Sequence, residues 1–211
     1  LLKKTYDNFI VMINPTIDIY KNKQIYKNLR LFIVKDKINY MNYTRTNFIE
    51  QLRVLSRSRK IIIIYVGYYK HDSVLIYDTR NPAKYILYYF EAHGSSKKYE
   101  LKPKVKEKIK KAILQSQEGI KNLTLYWPNS FLPEEGYQVL DQKDKDSLKS
   151  NLSGDAFGYC SYWCLYFVNM VLKFPDIPIV RLVAENLKLL KGMRAEGKTD
   201  FHRHIRTYSQ G

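Results

Sequence analysis

The alternation of apolar and polar positions changes character near residue 60. Before it, residues 9–13 and 31–34 read as short strands set among Lys- and Asn-rich stretches. Residues 44–56 read as a helix, because Phe48, Ile49, Leu52 and Leu55 recur at helical spacing and Thr44 or Thr46 can cap its start. Residues 60–69 form a continuous β-branched and aromatic run, the pattern of a strand buried on both faces. Two further strands follow at 73–77 and 85–91. The first ends at Asp78 and the turn signal Asn81-Pro82, the second at Gly94, Ser95 and Ser96. Short links make these three strands antiparallel neighbours.

Residues 102–117 predict an amphipathic helix, with Val105, Ile109, Ala112 and Ile113 on one side and lysines on the other. A fourth strand is expected at 123–127, closed by Pro128. Residues 134–154 are polar and read as a surface loop. Residues 161–173 are apolar on nearly every face, which marks a helix in the domain centre. Residues 179–193 form a last amphipathic helix, carrying Val180, Val183, Leu187 and Leu190 on one side. This order predicts a single α+β domain over residues 1–211, with an N-terminal extension (1–43), a core (44–193) and a polar C-terminal tail (194–211).

Composition narrows the class. With 211 residues, 45% hydrophobic and 27% charged, the chain is long enough for one full core and is not of disordered type. A formal net charge of +16 favours acidic partners, among them nucleic acid, and the lysine face of 102–117 is the local candidate, although such a face is more often simply solvated. Cys160 and Cys164 are the two cysteines; one helical turn apart, they suit neither a disulfide nor a zinc site and fit a reducing compartment. No segment reads as a signal peptide, and the apolar run at 61–69 is about half the length of a membrane span, so no span and no secretion are expected. The start at Leu1 allows for residues upstream.

Candidate chemistry centres on Cys160. It stands at the mouth of the buried helix, where the dipole favours thiolate over thiol and backbone N–H groups can face an oxyanion. Most free cysteines are small buried hydrophobes, and Cys164, one turn deeper, is read as one. Of the four histidines, His71 starts a strand at the sheet edge, where a base can meet a nucleophile from another element. His93 lies close to Glu91, and the His202-x-His204 pair reads as surface, without partners for a metal. Hairpin pairing brings Glu91 back beside His71, whereas Asp78 sits at the far turn.

These residues carry a resemblance. The segment from His71 to Asp78 looks like the histidine strand of the adenain and SUMO-protease family of cysteine proteases, His-x-x-x-hydrophobic-hydrophobic-x-Asp. Phe90-Glu91-Ala92-His93-Gly94 resembles the Phe-Glu-Pro-His-Gly of the versions in large DNA viruses. Gly158-Tyr159-Cys160-Ser161-Tyr162-Trp163 resembles their Cys-x-x-Trp nucleophile motif, and Gly136-Tyr137-Gln138 their Gly-x-Gln. The likeness runs over about residues 44–190. It implies a papain-like fold with a central mixed sheet and a buried nucleophile-bearing helix. It also implies Cys160 as nucleophile, His71 as general base, Glu91 as orienting acid and Gln138 as oxyanion residue, with Gln142 its competitor. Two departures stand out: Asp72 follows the histidine where SUMO proteases usually have Trp, and 22 residues separate Gln138 from Cys160.

The implied activity is peptide or isopeptide hydrolysis without metal or organic cofactor. The implied settings are maturation of viral structural proteins or removal of a ubiquitin-like modifier, in a host cytoplasm or a virus particle. The competing expectation is a catalytically inactive protease fold serving as a basic structural or nucleic-acid-binding protein.

Overall fold

The computed structural model describes residues 9–13, 45–57, 61–68, 71–96, 100–101, 103–116, 122–147 and 159–210. Five strands form one mixed sheet whose order across the sheet follows the chain: β1 (Phe9–Ile13), β2 (Ile61–Tyr68), β3 (His71–Asp78), β4 (Tyr85–Phe90) and β5 (Leu123–Tyr126). The three central strands pair antiparallel, and the outer two join in parallel, β1 on β2 and β5 on β4. The helices are α1 (Arg45–Ser56), α2 (Pro103–Gln115), α3 (Pro128–Phe131), α4 (Tyr137–Ser147), α5 (Cys160–Lys173), α6 (Ile179–Ala195) and α7 (Phe201–Gln210). The class is α+β, as expected. The expected strand at 31–34, the cap candidate Thr44 and the motif residue Gly158 lie outside the described residues.

The continuous apolar run of β2 follows from cover on both faces of the sheet. Ile61, Ile63, Val74, Ile76, Tyr88 and Phe90 face α5, α6 and α7. Ile62, Ile64, Leu75, Tyr77, Leu87 and Tyr89 face Leu52 of α1 and Ile113 of α2. The centre of the first core is Phe167 of α5, stacked on Phe90 with ring centroids 3.9 Å apart. Helix α5 is buried along most of its length, because it lies between the sheet on one side and α4, α6 and α7 on the other.

The strand expected at 9–13 is present as β1 and joins the sheet. Two expectations need correction. Residues 134–154 are not one loop, since 137–147 are helical. The helix was hidden because its inward face carries Gln138, Asp141 and Asp144 beside Tyr137 and Leu140, and buried carboxylates look like surface in a hydropathy pattern. Each has internal partners: Trp163 Nε1–H and His202 for Asp141, Arg194 and the Phe201 N–H for Asp144.

The polar tail is also structured. Helix α7 docks on α4 and α5 and buries Phe201, His202 and Ile205, so His202 is a core residue and not a surface one. Its Nδ1 hydrogen-bonds Asp141 at 2.8 Å. Phe201→Ala should therefore cost about 3–5 kcal/mol of stability by urea denaturation. A loss below about 1 kcal/mol, as for an exposed site, would mean that this helix does not dock. No helix among the described residues is long and apolar enough to cross a membrane.

Candidate active site

The β3–β4 hairpin assembles the first part of the site. Its register sets Val74 opposite Phe90 and Asp78 opposite Ile86. Carried one step past β4, the same register places Glu91 across from Ser73, within diagonal reach of His71. The His71 Nε2 stands 2.8 Å from each carboxylate oxygen of Glu91. Asp78, the rival acid, lies at the opposite end of β3 and is held by Arg80.

Glu91 is 1% exposed, and such a carboxylate needs donors. It has three: His71, the His93 ring at 3.1 Å and the His93 backbone N–H at 3.1 Å. Burial opposes its charge, but the hydrogen bonds from both histidines, with the His71 charge, outweigh this and hold its pKa below the ordinary value. His93 thus supports the acid, as expected of a neighbour.

Helix α5 supplies the thiol. Cys160 is its first residue, Tyr159 caps it without a side-chain bond, and the first helical hydrogen bond runs from the Trp163 N–H to the Tyr159 carbonyl. The N–H groups of Cys160, Ser161 and Tyr162 therefore lack helical acceptors and give this end its positive potential. Cys160 lies near enough to the His71 side chain to act on its protonation, while Nε2 of that ring is engaged by Glu91. Burial disfavours the charged imidazole. The hydrogen bonds to Cys160 and Glu91, with the charges on both, win over it and push the His71 pKa up to about 10.

Asp72 shows why the departure after the histidine is accommodated. Its carboxylate accepts the Ser161 hydroxyl, and its backbone carbonyl accepts the Cys164 thiol at 3.4 Å. The strand bearing His71 is thus tied at two points to the helix bearing Cys160. Cys164 is fully buried, and burial followed by the nearby charges of Cys160, Asp72 and Glu91 pushes its thiol pKa well above the ordinary value. It is a core thiol, as expected.

Gln138 is buried, whereas Gln142 lies exposed further along α4. What fixes Gln138 is a meeting of two glycines. Gly94 has a φ of +92°, and a Cβ built on it would stand 2.5 Å from both the Gly136 nitrogen and the Pro133 carbonyl. A Cβ on Gly136 would stand 2.3 Å from the Gly94 nitrogen. With no side chains between them, the two backbones bond directly: Gly136 N–H to the His93 carbonyl and Gln138 N–H to the Ala92 carbonyl, both at 2.9 Å. The glycines of the Glu91 motif and of the Gln138 motif are therefore one contact.

Trp163 completes the frame. It is fully buried, packs on Tyr137 with ring centroids 5.1 Å apart and donates Nε1–H to Asp141, which pins α5 to α4. Sequence reasoning missed Asp141, Ser161 and His202 as supports. For Asp141 and His202 no local signal distinguishes a buried polar group from a solvated one. Among the described residues, His71, Glu91 and His93 are also the one set of side chains with three potential metal-ligand atoms close together, within 4.8 Å.

No protein-family model matches the chain and no match to it is found among curated proteins, so the reading of this site rests on its own geometry.

Proposed function

We propose that this protein is a cysteine peptidase of papain-like fold, hydrolysing peptide or isopeptide bonds. The observation that carries the reading is a single imidazole bonded through Nε2 to a buried carboxylate, with the thiol of a helix start close enough to raise its pKa. An orienting acid, a base and a nucleophile in that order make an activated thiol.

In this reading His71 carries the Cys160 proton and the thiolate attacks the scissile carbonyl carbon. The backbone N–H of Cys160 and the Gln138 amide hold the resulting oxyanion. The C–N bond breaks as His71 gives its proton to the leaving amine, leaving a thioester on Cys160. Water then gives a proton to His71 and adds to the thioester, which releases the carboxylate product and restores the thiol. The resemblance of the short motifs around Glu91, Gln138 and Cys160 to viral proteases favours protein maturation over modifier removal as the setting.

A cysteine-directed electrophile with peptide mapping tests the reading. Cys160 is expected to label at neutral pH well above the rate of a free cysteine and Cys164 not at all. Labelling of Cys160 no faster than a free thiol would defeat the proposal. Salt-dependent polyanion binding in that case would favour the non-catalytic alternative, for which the exposed Lys104, Lys108, Lys110 and Lys111 of α2 are the candidate surface.

A further inference from the structure

We propose that His71, Glu91 and His93 form a binding site for a zinc ion, and that zinc occupancy and catalysis at this centre exclude one another. A catalytic acid needs one histidine, yet Glu91 is shared by two, with ring centroids 4.9 Å apart. The ligand atoms lie close together. The Glu91 Oε1 lies 2.8 Å from His71 Nε2 and 3.1 Å from His93 Nδ1, and all the ligand atoms fall within 4.8 Å of one another. Ligands at zinc distances of about 2.0–2.1 Å stand about 3.3 Å apart in a tetrahedron, so two of the three edges need open by only a few tenths of an ångström. The third, between the two ring nitrogens, is no longer than 4.8 Å and is adjustable by rotation of the rings.

Two imidazoles and a carboxylate are a donor set of borderline softness that suits zinc and leaves a fourth position open. The carboxylate is buried while the histidine side chains are 26% and 14% exposed, so an ion can reach the site from solvent. The backbone contact between Gly94 and Gly136 holds the Glu91–His93 turn rigid, which limits the ordering that binding requires. Binding releases the His71 Nε2 proton to solvent and moves the His93 proton from Nδ1 to Nε2; no electrons are transferred. A metal on Nε2 replaces the hydrogen bond that orients His71 toward Cys160. That exclusion rests on the catalytic reading, whereas the site itself does not.

The test is titration of the untagged protein with zinc alone against a chromophoric chelator, with cobalt(II) as a spectroscopic substitute. One equivalent should bind to the unsubstituted protein and to Cys160→Ala alike, and His93→Ala should weaken binding at least about tenfold. The cobalt spectrum of the unsubstituted protein should lack a thiolate-to-metal charge-transfer band, a readout that needs no variant to fold. Absence of stoichiometric binding would overturn the site. So would a thiolate band, or binding lost in Cys160→Ala and kept in His93→Ala, because the ion would then sit between Cys160 and His71. A chain that binds zinc but hydrolyses nothing refutes the catalytic reading and leaves the site; one that hydrolyses peptides without binding zinc refutes the site alone.

Discussion

Replacing His71 by alanine is expected to slow hydrolysis of a quenched-fluorescent peptide library by about 10²- to 10⁴-fold, the usual size of a general acid–base contribution. The companion variant Glu91→Gln asks how His71 is tuned. The unsubstituted protein should keep its activity on the alkaline side until the pH approaches about 10, where His71 loses the proton that the leaving amine needs. Glu91→Gln removes the charge that favours the imidazolium, so the alkaline limb should move down toward the ordinary histidine value of 6.5. An alkaline limb at the same pH in both proteins would show that Glu91 does not tune His71.

The same pair makes stability depend on pH, and the sign is fixed by the directions of the shifts. The His71 pKa is raised on folding, so its contribution is fully present below 6.5 and is lost as pH rises through about 10. The Glu91 pKa is lowered, so its contribution is present above the ordinary value of 4.5 and is lost as pH falls through its folded value. Together they favour the folded state most between about pH 4.5 and 6.5.

The second large effect is expected at Gly136. A Cβ there meets the Gly94 nitrogen at 2.3 Å and the Ala92 carbonyl at 2.6 Å, and both are backbone atoms that cannot swing aside. Gly136→Ala must part the two segments and break the hydrogen bonds of Gly136 to His93 and Gln138 to Ala92. With about 1–3 kcal/mol for each buried backbone group left unpaired, the loss should be about 3 kcal/mol or more by urea denaturation. Gly192, in α6, is the internal control. Nothing lies within 4 Å of its added Cβ, and Gly192→Ala should be neutral or stabilising by up to about 1 kcal/mol. A Gly136→Ala protein as stable as Gly192→Ala would mean that the glycine contact does not fix the turn.

Much of the sheet was legible because β2, β3 and β4 are filled with apolar residues, and β3 and β4 end at clear turn signals. Hairpin logic then sufficed to bring Glu91 to His71, and the apolar α5 announced its own burial. What stayed hidden has one physical cause. Helices α4 and α7 bury polar groups against each other, Asp141 with His202 and Asp144 with the Phe201 N–H, and each half of such a pair reads as surface until the other is known. The same blindness made the stretch after Gln138 read as part of a surface loop, when residues up to Ser147 belong to the helix that carries Gln138. The role of Asp72 was likewise invisible, because Ser161 belongs to a distant element.

The β3–β4 hairpin also bears on the order in which the protein acquires its chemistry. His71 and Glu91 belong to one local unit that can pair as soon as both strands exist, since it closes a short loop. Cys160 arrives from far along the chain and meets His71 only when α5 docks on the finished sheet. On the proposed catalytic reading, an unfolded or newly made chain holds an ordinary thiol, and completion of tertiary packing is the step that arms it. A destabilised molecule would disarm itself as it opens, which confines reactive sulfur to chains that have folded.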